Sequence, residues 1–249
     1  MFPEICQIGP FTVYSYGLVF AVGIVVCAAL MSREIRLAPK YAVEGLSVDM
    51  VYDLIFWVVL GGILGARAFF IFLNIDTFLN DPLEIVRLQN GGLAWQGGLI
   101  LGMLSAVGYI RKKKLPFLKT LDFFIPYVAL GHAIGRIGCF LNGCCYGKVA
   151  SSGIYFPVHR ARLHPTQLYA AAALLAIFFI LKFVQKKTNI PGRVLVAYLL
   201  LASLQRFIIE FFRGDHVTVL GSLSIFQVVA VCVFVVGGCL LLRPGGRKK

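Results

Sequence analysis

Acidic side chains are scarce in this chain. Asp and Glu number 11 against 24 Lys and Arg, a formal net charge of +13 over 249 residues. All charged residues together make up 14%, where a soluble domain of this length carries about a quarter. With 59% hydrophobic residues, that deficit excludes an ordinary soluble globular domain. Basic residues are also missing from the start of the chain, where the first, Arg33, follows the first apolar run. A cleavable signal needs basic residues ahead of its apolar core, so the first run is expected to stay as a membrane helix. There is no convincing internal repeat. Nor is there a contiguous soluble basic patch, which argues against nucleic acid as a partner.

Long apolar stretches are plentiful. About 20 such residues span a bilayer as a helix, and candidates lie at 14–31, 51–74, 92–110, 121–141, 166–185, 193–212 and 222–242. Pro126 and several glycines interrupt the fourth. The loops at 32–50, 111–120, 182–193 and 243–249 hold 16 of the 24 Lys and Arg, including the run RKKK and the tail RPGGRKK. The alternate loops hold five. This is the positive-inside pattern. The expected fold is an all-α integral membrane protein of about seven transmembrane helices, N-terminus outside and C-terminus cytoplasmic. It forms a single polytopic membrane domain over 1–249. The basic loops also favour anionic headgroups of the lipid bilayer.

Ionisable groups inside spans are costly unless paired or wetted, so each is a functional candidate. Arg67, Arg136, Arg206 and Glu210 stand out. Snorkelling or an internal ion pair can explain any one of them. For three arginines at similar depth, one shared anionic ligand is the more economical account. Arg206, Glu210 and Arg213 recur at i, i+4 and i+7, hence on one helical face. Glu210 can pair with either arginine. A guanidinium is always charged, and its planar fork suits a phosphate.

The stretch GHAIGRIGCFLNGCCYG, 131–147, concentrates the remaining chemistry. His132, Arg136, Cys139 and Gly143 fall along one helical stripe, and Gly131, Gly135 and Gly138 along a second. Small residues at that spacing let helices, or a headgroup, come close. Cys139, Cys144 and Cys145 with His132 would make a Cys3His set. Structural zinc sites usually show paired spacings, which one four-residue gap and one adjacent pair fit poorly. A redox pair ranks above zinc, and a structural role above both, so no metal is expected. Gln96, Gly97 and Gly98 in NGGLAWQGGLILG (90–102) put a polar group and free backbone where a span begins. His164, Gln167 and Tyr169 in LHPTQLYA (163–170) do the same at another.

Taken together, IGPFTVYSYGL (8–18), GGILGAR (61–67), DPLEIVRLQNGGLAWQGGL (81–99), GRIGCFLNGCCYG (135–147), HPTQLY (164–169) and RFIIEFFRGD (206–215) are collinear. They resemble the bacterial phosphatidylglycerol–prolipoprotein diacylglyceryl transferases over nearly the whole chain. The resemblance implies transfer of a diacylglyceryl group from phosphatidylglycerol to the lipobox cysteine of a preprolipoprotein, whose signal peptide is a partner. A thioether forms and glycerol phosphate leaves. The reaction needs no cofactor, and its place is the bacterial inner (plasma) membrane. By the same resemblance Arg136 lies at the lipid-phosphate-binding arginine and Arg206 at a second essential arginine. Tyr16, Asn142, Glu210 and Arg213 fall on positions lining the cavity. The sequence departs from the family where H-G-G becomes QGG at Gln96, and where Asn and Glu of the signature become Cys139 and Cys144. Glutamine cannot take a proton at neutral pH. His132, one turn before Arg136, is the expected replacement. Another lipid-modifying transferase, or an anion or lipid transporter, is the alternative.

Overall fold

The computed structural model describes residues 1, 3–8, 11–38, 43–80, 82–85, 87, 91–214, 218–220 and 223–242. Asp81, Val86, Leu88, Gln89, Asn90, Asp215 and the basic tail 243–249 lie outside the described residues. Eight helices dominate: α1 Ser15–Leu37, α2 Val48–Leu73, α3 Ile75–Asn80, α4 Trp95–Lys112, α5 Phe117–Asn142, α6 Thr166–Lys187, α7 Arg193–Glu210 and α8 Ile225–Leu242. Three antiparallel two-stranded ribbons accompany them among the described residues, one before α1 and two between helices: β1 Glu4–Ile8 with β2 Phe11–Tyr14, β3 Val149–Phe156 with β4 Ala161–Leu163, and β5 Thr218–Leu220 with β6 Leu223–Ser224. The seven long helices coincide with the seven apolar stretches. Five of them, α1, α2, α5, α6 and α8, are long and apolar enough to cross a membrane. The other two, α4 and α7, are 18 residues long, as α8 is, but α8 carries no charge, whereas α4 ends in Arg111 and Lys112 and α7 holds Arg193, Arg206 and Glu210.

Two compact units emerge, Met1–Ala29 with Leu121–Lys249, and Leu30–Thr120. In the smaller unit, α2 and α4 meet backbone to backbone. A Cβ on Gly65 would run into the carbonyl of Gly97, and one on Gly97 into that of Gly65. Gly98 sits 3.0 Å from the Gly62 carbonyl by the same measure. The glycines of GGILGAR and QGGLILG therefore make a helix crossing.

In the larger unit, α1 approaches α5 over small residues. The Gly23 position faces Ile134, Gly131 faces the Cys27 sulfur, and Gly138 faces Tyr16 and Val19. Ala129, Ala133, Leu174, Ile177, Leu181 and Val194 form an apolar core among α5, α6 and α7. Asp122, buried on α5, closes the start of α7. Its carboxylate accepts from the backbone N–H of Gly192 at 2.6 Å and of Leu195 at 2.9 Å. Those are donors that a helix start leaves unpaired. Gly192 holds φ +86°, a left-handed conformation that suits glycine.

Candidate active site

Arg136 lies on α5 one turn after His132, and its Nε donates to His132 Nε2 at 3.2 Å. The imidazole is thus neutral at Nε2, and that lone pair orients Arg136. On α7, Arg206 Nη2 lies 2.8 Å from Glu210 Oε2, with its guanidinium 4.5 Å above the Phe226 ring. Just past the helix, Arg213 Nε lies 3.9 Å from the same carboxylate oxygen. Glu210 is 1% exposed, so its charge is held by these arginines and by Ser224, whose Oγ donates to Oε1 at 3.0 Å. Arg136, Arg213 and Glu210 all act electrostatically on Arg206. His132 lies within reach of Arg136 and Arg206. Tyr16, at the start of α1, lies within reach of Arg136. One group in the larger unit therefore gathers His132, Arg136, Arg206, Glu210, Arg213 and Tyr16.

Asn142 ends α5, and the chain then turns through Gly143 at φ +77°. Gly143 N–H bonds to the Phe140 carbonyl and Cys144 N–H to the Cys139 carbonyl. This is the paired bonding of a Schellman cap. The Sγ atoms of Cys139, Cys144 and Cys145 lie within 4.8 Å of one another. Beyond the helix end, hydrogen bonds from the Cys139 and Cys144 thiols, and then the charges of Arg213 and Arg136, hold the Cys145 thiol below the ordinary thiol range. His164 lies next to this turn in the chain's pairing. Its N–H donates to the Lys148 carbonyl, and its own carbonyl accepts from Gly147 N–H. The His164 ring packs edge-on against Phe212, and its Nδ1 lies 3.3 Å from the Tyr169 hydroxyl. Tyr169 and Phe212 stand at one end of an apolar groove of about 500 Å³ between α6 and α7.

Three expected ligand-binding residues have other partners. Arg67, in the smaller unit, aims all five of its donors at backbone carbonyls. Nε reaches Ile85 at 3.1 Å, Nη1 reaches Gly91 at 2.7 Å and Gly92 at 3.0 Å, and Nη2 reaches Glu84 and, at 3.4 Å, Arg87. No donor remains for a phosphate. Gly97 and Gly98 face α2, as described above. Gln96 is exposed in the first turn of α4.

The structure also adds residues. Ser224 and Gln227 form a capping box at the start of α8. Gln227 N–H donates to Ser224 Oγ at 3.3 Å, and Ser224 N–H donates to Gln227 Oε1 at 2.9 Å. Both are buried, and the Ser224 hydroxyl donates a hydrogen bond to Glu210. The motif S-x-x-Q before an apolar run was the available signal. Phe226, beneath Arg206, had none.

A family model described as Prolipoprotein diacylglyceryl transferase matches residues 3–243. Relatives named phosphatidylglycerol–prolipoprotein diacylglyceryl transferase match over nearly full length. The chain is 31% identical to that of Clostridium tetani, covering 95% of each chain. It is 34% identical to that of Idiomarina loihiensis, covering 94% of this chain and 90% of the relative. With that of Shewanella oneidensis it shares 32% identity over 99% and 97%.

Proposed function

Because the chain belongs to the prolipoprotein diacylglyceryl transferase family, we propose that it transfers a diacylglyceryl group from phosphatidylglycerol to the lipobox cysteine thiol of a preprolipoprotein. The observation that carries this reading is the pairing of Arg206 and Arg213 with the buried Glu210, with Arg136 near enough for its charge to act on Arg206. As the carbon–oxygen bond breaks, negative charge builds on the departing glycerol phosphate. Guanidinium groups fixed in advance stabilise that charge without reorganising. Glu210, fixed by Ser224, sets the direction of Arg206 and Arg213. The acceptor must react as a thiolate. Arg136 now spends its Nε–H on His132; turning that donor to the lipid phosphate frees Nε2 to take the thiol proton. Gln96 serves as a hydrogen-bonding group, and Arg67 serves by fixing the loop that precedes α4. Tyr16, Asn142 and His164 line the substrate side, and the groove between α6 and α7 suits an acyl chain.

The protein is a single membrane domain of seven spans in the bacterial inner membrane, N-terminus outside, with α4 and α7 crossing as well. The signal peptide of the substrate approaches from within the bilayer. All the relatives named above bear the transferase name, which does not favour a transporter. Complementation of a bacterium depleted of its own diacylglyceryl transferase tests the function. Growth restored by the chain, but not by Arg136→Ala, is the expected result. Membrane-inserted protein that does not restore growth would overturn it. His132→Gln tests the base, and near-normal lipidation would exclude that role.

A further inference from the structure

The three cysteines at the C-terminal end of α5, Cys139 in its last turn and Cys144 and Cys145 just beyond, are not accounted for by phosphate binding. Linear spacing disguises them as an unpromising set. The helix cap changes this, because a Schellman motif places the residue three before the cap next to the one two beyond it. Here those residues are Cys139 and Cys144, joined by the Cys144 N–H to Cys139 carbonyl bond at 3.2 Å. Cys145 completes the set from a left-handed conformation, φ +58°. A non-glycine residue there is strained, and such strain persists where surrounding structure enforces it. The enforcement is visible. Buried Gln167 donates from Nε2 to the Cys144 carbonyl at 2.6 Å, and buried Thr166 donates from Oγ1 to the Cys145 carbonyl at 2.8 Å. Both carbonyls of the turn are thereby tied to the first turn of α6.

A tetrahedral cation with metal–sulfur bonds of about 2.3 Å needs sulfurs about 3.8 Å apart. All three Sγ atoms already lie within 4.8 Å of one another, so side-chain adjustments of under about 1 Å suffice. A disulfide would use two sulfurs and leave the third without a role. Charge agrees with a cation. Three thiolates and one dication sum to a single negative charge, beside Arg136 and Arg213, which both act on Cys145. Thiolates select soft cations of the zinc class. Sites with three protein ligands keep a fourth position open, and a thiol that coordinates there is deprotonated.

We infer that Cys139, Cys144 and Cys145 form a three-thiolate site for zinc, whose open fourth position takes the acceptor cysteine of the lipoprotein substrate as its thiolate. This rests on the transferase reading for the identity of the thiol. The acceptor thiol displaces the water in the fourth position, and its proton passes to His132. The zinc-held sulfur then forms the carbon–sulfur bond as the carbon–oxygen bond breaks, and the electron pair leaves on glycerol phosphate. The thioether is a poor ligand and departs, and water returns. The site thus supplies a thiolate in a chain where the glycine-flanked position holds Gln96, which cannot act as a base.

The test uses full-length protein in detergent, reduced, stripped by chelator and titrated with Cd2+ as the probe. The expected result is one Cd2+ per chain with a thiolate-to-metal charge-transfer band. That band rises by about a third when a lipobox peptide adds a fourth thiolate, and stays unmoved with the Ser analogue of the peptide. Binding weakens at least tenfold in C139S, C144S or C145S and is unchanged in C232S/C239S. In wild-type protein, metal protects those three cysteines from alkylation as counted by mass spectrometry, a readout that needs no folded variant. Absence of stoichiometric binding, binding that survives the triple Cys→Ser change, or a band indifferent to the Cys peptide would each overturn the inference. Metal and peptide binding as expected, without lipidation from phosphatidylglycerol, would instead overturn the transferase reading and leave the site standing.

Discussion

At the scale of single residues, the site is a small electrostatic device with one buried anion at its centre. Glu210 is 1% exposed and engages Arg206, Arg213 and Ser224. Removing a fixed donor that meets developing charge costs on the order of 10²–10³ in turnover. Arg136→Ala and Arg206→Ala should each lose that much in a peptide-lipidation assay, with Arg206→Lys retaining part of the binding. Ser224 acts through Glu210, so its loss should be milder. Ser224→Ala should lower kcat by roughly tenfold at little changed KM, the effect of about 1.4 kcal/mol at the transition state. Ser224→Thr, which keeps the hydroxyl, should restore most of it. A loss confined to protein yield in Ser224→Ala would instead mark the residue as structural only.

At the scale of elements, packing explains what sequence pattern leaves open. In QGGLILG the sequence shows only backbone free to approach something; the close approach of Gly65 and Gly97 shows that what it approaches is the glycine face of GGILGAR. Overpacking of such a contact costs about 1–3 kcal/mol. Gly65→Ala should therefore lower the thermal midpoint in detergent, while Gly108→Ala, with nothing within 4 Å, should leave it level or raise it. Asp122 belongs to the same scale. Asp122→Ala strips two N–H groups of their acceptor at the α7 start, at a cost of about 1–2 kcal/mol, and the midpoint should fall accordingly. The seven long helices were legible because apolar runs of membrane length leave few alternatives. Arg136, Arg206 and Glu210 were legible because charge inside such runs needs a reason. Arg67 looked the same by that criterion, yet its five donors go to carbonyls of a loop whose path no periodicity reveals. The cysteine group was hidden for a related reason. Its proximity comes from a helix cap and from Gln167 and Thr166, over 20 residues later in the chain.

At the scale of the whole molecule, composition and chemistry point the same way. A chain with 14% charged residues places Arg136 and Arg206 among apolar helices, the setting that the proposed reaction of an anionic lipid requires. Basic loops alternate with loops whose charges, taken together, balance, which predicts the topology. A membrane-impermeant thiol reagent applied to spheroplasts should label the exposed Cys6, with the other six cysteines replaced by serine, and labelling only after membrane disruption would contradict an outside N-terminus. The most direct measurement of the central claim is reconstitution of the purified protein with phosphatidylglycerol labelled in its glycerol phosphate headgroup and a lipobox peptide. The account predicts release of labelled glycerol phosphate matched one to one by a diacylglyceryl thioether on the peptide cysteine, both lost in Arg136→Ala. Headgroup release without peptide modification, or peptide modification that persists undiminished in Arg136→Ala, would contradict it.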